Sequence, residues 1–213
     1  MKNDAKLTAG IVVAWFLFSL TASALHLFKN DASRIGLAVA IAALAPIVVF
    51  SLWFAASESF RHFVLSLNPQ ILTSVQAFRL AGFTFILLEA RSTLPAVFAF
   101  PAGYGDMAIG ATSAFVAWKL ANPAHRNSFV LWQLLGIADL VIAVSVGTTA
   151  FLISPQGPSM VPMTVLPLSL IPTFLVPLFA ILHVICIAQA RSSAKTSEPT
   201  THNRLKPAPG AAI

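Results

Sequence analysis

Two charged residues stand in apolar stretches where a lone charge is costly. Arg79 lies near the middle of residues Ile71 to Ala90, and Asp139 near the middle of Phe129 to Ile153. An arginine at the centre of a membrane helix costs roughly 2.5–3.5 kcal/mol on insertion scales. The ten Leu, Ile, Val and Phe residues around Arg79 return about 3–6 kcal/mol. Gln76 and Glu89 subtract from that, so the stretch needs a partner for its arginine. Counted from the same end, Asp139 falls within about one helical turn of the same depth. A guanidinium–carboxylate pair would relieve both residues. Such a pair can hold an ion, respond to a proton, or lock two helices together. Gln76 precedes Arg79 by three residues and shares its helix face. Gln133 precedes Asp139 by six and falls on a different face. Both glutamines suit hydrogen bonding between helices.

A second group sits at the other end of the same stretches. Glu89 and Asp106 lie at outer helix ends, and His26 closes the first apolar run, so the three can form a polar mouth. One histidine and two carboxylates can coordinate a divalent metal or carry a proton. Solvation near an interface is the plainer account, and no metal is assigned. Between them, Leu94 to Pro101 is apolar but too short to span. Ala102-Gly103-Tyr104-Gly105-Asp106 follows. Gly103 and Gly105 permit backbone angles closed to other residues, and Asp106 can cap a helix beginning there. The stretch reads as a re-entrant turn before the fourth helix, or as a discontinuous helix unwound at Pro101 to Gly105. Pro162, Pro167, Pro172 and Pro177 punctuate the last run. The first two can start a helix, while Pro172 and Pro177 would kink it as hinges.

Other chemistries lack their parts. No two histidines share mid-membrane depth, so a bis-histidine haem is disfavoured. No lysine is buried for a Schiff base, and there is no phosphate loop, zinc-protease helix or dinucleotide fingerprint. The lone Cys186 allows neither an intrachain disulfide nor a cysteine cluster. The reading leans away from an enzyme and assigns no cofactor.

These residues are positioned by a chain of 213 residues with only 13 Lys/Arg and 7 Asp/Glu, and 57% hydrophobic types. At 9% charged, it cannot coat a water-facing surface as an ordinary domain does. Nucleic-acid binding is set aside, because the basic residues flank apolar runs and read as topology signals. The fold class is all-α: a polytopic integral membrane protein of six transmembrane helices. The runs are Thr8 to Phe28, Ile35 to Ala56, Ile71 to Ala90, a short Asp106 to Ala121, Phe129 to Ile153, and Met163 to Ala190. The first reads as a retained helix rather than a cleaved leader. Residues 1–191 form one membrane domain, with no clear internal repeat, and 192–213 a disordered cytoplasmic tail. With both termini cytoplasmic, only Lys29, Arg34 and Arg91 of the basic residues face outward. That bias agrees with the positive-inside rule. Between the second and third runs, Phe60, Phe63, Val64 and Leu67 repeat at helical spacing, which predicts a short amphipathic helix on the inner interface.

The function these features suggest is a permease for a small solute, ion or proton, with Arg79 and Asp139 at its polar centre. The alternative is a non-catalytic membrane subunit or sensor whose polar residues fix helix packing and partner binding. The partners in view are the lipid bilayer, a small solute or ion, and a second copy of the chain.

Overall fold

The computed structural model describes residues 2–29, 37–153 and 156–197. Arg34, the expected start of the second run at Ile35, and the tail from 198 onward lie outside them. The described residues are helical, without a strand among them. Five helices are long and apolar enough to cross a membrane.

Helix α1 spans Lys2–Ala24 and α2 spans Leu37–Ala56. The short α3, Glu58–Leu65, begins where the Ser57 hydroxyl accepts the Phe60 N–H. It buries Phe60 and Val64 against α2, where Phe60 stacks on Trp53 at 3.8 Å, and leaves its polar face exposed. Helix α4, Pro69–Ala90, starts with Asn68 as its cap. Its middle, Val75–Gly82, is wound as a 3-10 helix. Helix α5 covers Ala96–Phe115 and ends in a π-helical turn, Val116–Leu120. Helix α6 is Arg126–Ile153. Helix α7, Val176–Ser197, is entered through a π-helical turn, Ile171–Leu175.

Two boundaries differ from the sequence reading. Residues 96–120 wind continuously, so the break expected at Pro101 to Gly105 is a helix interior. Extended Pro95 precedes the first turn and its carbonyl accepts from the Phe98 and Ala99 N–H groups. Pro101 then removes a single N–H, the one that would bond Val97. Gly103 and Gly105 serve contact rather than turning. A Cβ on Gly103 would lie 2.6 Å from Ile86 Cδ1 and 3.1 Å from the Gly82 carbonyl oxygen. Small residues let helix backbones approach, and the seam between α4 and α5 is built on them.

The last run also starts later than its hydropathy suggests. Residues 161–170 form a 3-10 turn and bends that pack Met163 onto α4 and α5. Regular winding begins only at Ile171 and continues to Ser197, so residues 192–197, read as tail, are helical. Pro172 and Pro177 lie in and just after the π-turn. Pro177 cannot bond the Thr173 carbonyl. That oxygen instead accepts from Trp15 Nε1 at 3.1 Å and from Ser19 Oγ at 3.3 Å. The freed backbone group thus docks α1.

Candidate functional site

The 3-10 winding of α4 decides which residues face the bundle. At three residues per turn, positions three apart line up on one face. Gln76, Arg79 and Gly82 fall on that line and are the buried residues of the segment. Arg79 points from it into the junction of α5, α6 and α7, with its side chain fully buried.

The guanidinium meets four groups. Nε donates to Asp106 Oδ1 at 2.6 Å, and Nη2 donates to Asp139 Oδ2. Nη1 donates to the Gly136 carbonyl at 3.3 Å and lies 3.3 Å from His183 Nε2. Four of the five N–H groups of an arginine are thereby engaged.

A chain of hydrogen bonds leaves this junction through buried side chains. His183 Nδ1 is 2.5 Å from Gln133 Oε1, and Gln133 Nε2 donates to Thr73 Oγ1 at 3.2 Å. Thr73 Oγ1 is 3.8 Å from Cys186 Sγ. The network assigns the tautomer: His183 carries its proton on Nδ1 and offers the Nε2 lone pair to Arg79. Gln76 stays out of this chain and donates through Nε2 to the Phe179 carbonyl at 3.3 Å.

Glycines make the junction possible. A Cβ on Gly82 would come within 2.5 Å of the Asp106 Cβ, and one on Gly105 within 2.6 Å of the Asp139 Cγ. On Gly110 it would lie 2.6 Å from the Leu80 nitrogen. On Gly136 it would overlap the His183 ring. Each of these positions brings a polar side chain or backbone segment directly against a neighbouring helix.

Burial differs within the cluster. Arg79, His183, Gln133 and Thr73 are at most 2% exposed. The Asp106 and Asp139 side chains keep 16% and 14% of their surface open.

The sequence-derived residues divide accordingly. Arg79, Asp139 and Asp106 come together, with Gln133 joined through His183. Asp106 leaves the expected outer mouth and the cap position, because α5 begins at Ala96 and carries Asp106 in its interior. His26 is an exposed residue in the left-handed region, in the turn that closes α1. Glu89 is half-buried at the end of α4. Among the described residues, no hydrogen bond or ion pair joins His26, Glu89 and Asp106, and no group of three such residues is placed to hold a metal. His183 and Thr73 are the additions. Counting the last run from Met163 puts His183 near one face. Counted from Ile171 to Ser197, it sits at the middle of the winding. The four prolines spaced five apart were the available sign that the run starts late.

No curated protein and no solved structure matches the chain. One family model does, over residues 32–191, a stretch that contains α2 to the greater part of α7 and every residue of the cluster. The chain belongs to that family, the Domain of unknown function DUF8737.

Proposed function

We propose that this protein is a membrane permease for a small solute, ion or proton, centred on Arg79, Asp106 and Asp139. The observation that carries the reading is the sharing of one guanidinium by two carboxylates. With all three ionised the cluster holds one excess negative charge. In an apolar bundle such an excess is costly unless a proton or a cation neutralises it. Arg79 is nearly saturated and sealed, so it is not the docking point for an anion. It holds the two carboxylates, and they are the groups that bind.

The topology proposed with this function has six crossings. Residues 96–120 are long enough to span, and they lie between α4 and α6 with both carboxylate contacts in the bundle interior. Their glycines, Thr112 and Ser113 lower the hydropathy without shortening the helix. An even count puts both termini on one side, cytoplasmic by the basic bias. The outer segment that packs without regular winding is then 161–170 rather than 94–105.

Purified protein reconstituted into vesicles tests the reading. Proton, sodium and potassium flux are followed with ion-sensitive dyes under a clamped potential. Asp139→Asn and Asp106→Asn should each lower flux at least tenfold while the helical spectrum is kept. Flux equal to empty vesicles for the wild type, or unchanged in both variants, sinks the proposal. A second reading has its own support in the near-complete saturation of Arg79, which suits a lock. In a non-catalytic subunit or sensor the cluster would fix packing alone, and no ion would pass.

A further inference from the structure

We propose that Val75–Gly82 is a winding switch that carries Arg79 on and off its two carboxylates by converting between 3-10 and α-helix. It rests on the permease reading for its purpose, but its measurement does not. Eight residues of 3-10 helix are unusual, because runs beyond three or four residues are uncommon and their hydrogen bonds are poorer than those of an α-helix. Something outside the backbone must hold this one. The holding groups lie along a single line. Gln76 donates to the Phe179 carbonyl, Arg79 binds both carboxylates, and Gly82 rests on Asp106 and Gly103.

That line exists only in the 3-10 form. In an α-helix, residues three apart fall about 60° short of a full turn. Gln76, Arg79 and Gly82 then fan out over about 120° and no longer stand on one line, so they cannot all keep their present partners. Conversion of eight residues also shortens the segment by about 4 Å, from the difference in rise between the two helices. Neutralising the carboxylates weakens the bonds that hold Arg79, and the better hydrogen-bond geometry of the α-form takes over.

The seam is built to let this happen. Gly103 and Gly110 of α5 lie under Gly82 and Leu80, so backbone rests on backbone at both points. A Cβ at Gly82 would lie 2.5 Å from the Asp106 Cβ, so any other residue there must shift a neighbour. Rewinding therefore has to part α4 from α5 where Asp106 sits. Binding at the carboxylates and opening of that seam become one movement.

The test is a distance between the ends of α4. Spin labels are placed at the exposed positions Gln70→Cys and Ala90→Cys, with Cys186, which is buried, left in place. The protein is held in lipid nanodiscs and read by pulsed electron resonance. With the 3-10 segment intact the backbone separation is about 34 Å, against about 30 Å for an uninterrupted α-helix. The wild type should give the longer value. Asp106→Asn with Asp139→Asn should shorten it by about 4 Å. If that variant loses its helical spectrum, Arg79→Gln removes the same anchors and is read in the same way. A wild-type separation already near 30 Å overturns the proposal, as do folded variants within about 1 Å of the wild type. Ion flux without shortening removes the switch and leaves the permease. Shortening in a protein that passes no ion does the reverse.

Discussion

Gly136→Ala should injure the cluster without touching any of its polar groups. The added methyl lands on the His183 ring, with its Nδ1 3.1 Å from the new Cβ. The ring is also within hydrogen-bond reach of Arg79 and Gln133, so it cannot step aside and keep both. Overpacking of a full core costs about 1–3 kcal/mol. Displacing His183 leaves buried groups on Arg79 and Gln133 without partners, for about 1–3 kcal/mol more. Replacing glycine by alanine in a helix returns about 1 kcal/mol. The net is a loss of about 1–5 kcal/mol. Gly10→Ala supplies the control, because nothing lies within 4 Å of a Cβ there. It should keep only the propensity gain and stabilise by up to about 1 kcal/mol. Both variants are compared by unfolding in mixed micelles with rising dodecyl sulfate, followed by circular dichroism. In a His183→Ala background the Gly136→Ala penalty should fall by about 1–3 kcal/mol, since the obstructing ring is gone. Equal stability of the Gly10 and Gly136 variants, or strict additivity with His183→Ala, would refute the packing argument.

Three further outcomes follow from the same contacts. Arg79→Met strands two carboxylates and should cost about 3–5 kcal/mol in the same titration, while adding Asp106→Asn and Asp139→Asn should recover most of it. Gln189 Nε2 lies 2.7 Å from the Leu67 carbonyl and near those of Val64 and Leu65. Gln189→Leu should cost about 1–3 kcal/mol and speed hydrogen exchange at the end of α3, which mass spectrometry can localise. Ser19→Ala removes one donor from the Thr173 carbonyl and should cost about 0.5–1.5 kcal/mol. Pro177→Ala returns a backbone N–H near that oxygen, so in its background the cost of Ser19→Ala should shrink below about 0.5 kcal/mol.

Particular residues show how far sequence reasoning reaches in such a chain. Apolar length and short connections suffice for α2, α4 and α6, because hydrocarbon thickness sets the length of the run. They mislead at 161–170, since hydropathy cannot separate an apolar proline-rich turn from a helix. That error of eight residues hid His183 from the centre. At 101–105 the difficulty was the double meaning of glycine. In water-facing loops it marks a turn, but in a tightly packed bundle it marks a contact between backbones. Taking Gly103 and Gly105 for a turn made Asp106 a cap and sent it to the mouth. The requirement that Arg79 find a partner came from desolvation cost alone. That cost says nothing about how many partners there are. Nor does it reveal the 3-10 winding, since that depends on where α5 and α7 sit.

The number of partners is what gives the cluster its character. One carboxylate against Arg79 would make a neutral pair, complete in itself and suited to fastening two helices. The second carboxylate breaks that balance, and it is supplied from inside α5 at the point where Gly82 leaves room for it. Both carboxylates give one oxygen to Arg79 and retain some exposure, whereas the guanidinium is sealed. With both ionised, the cluster would hold one excess negative charge, the charge that the proposed proton or cation would neutralise. The 3-10 segment adds that Arg79 sits on an unusual winding, held in place by the very groups whose charge would change on binding. The paired carboxylates and the held winding are different features, one of side chains and one of backbone. Both meet at the seam between α4 and α5.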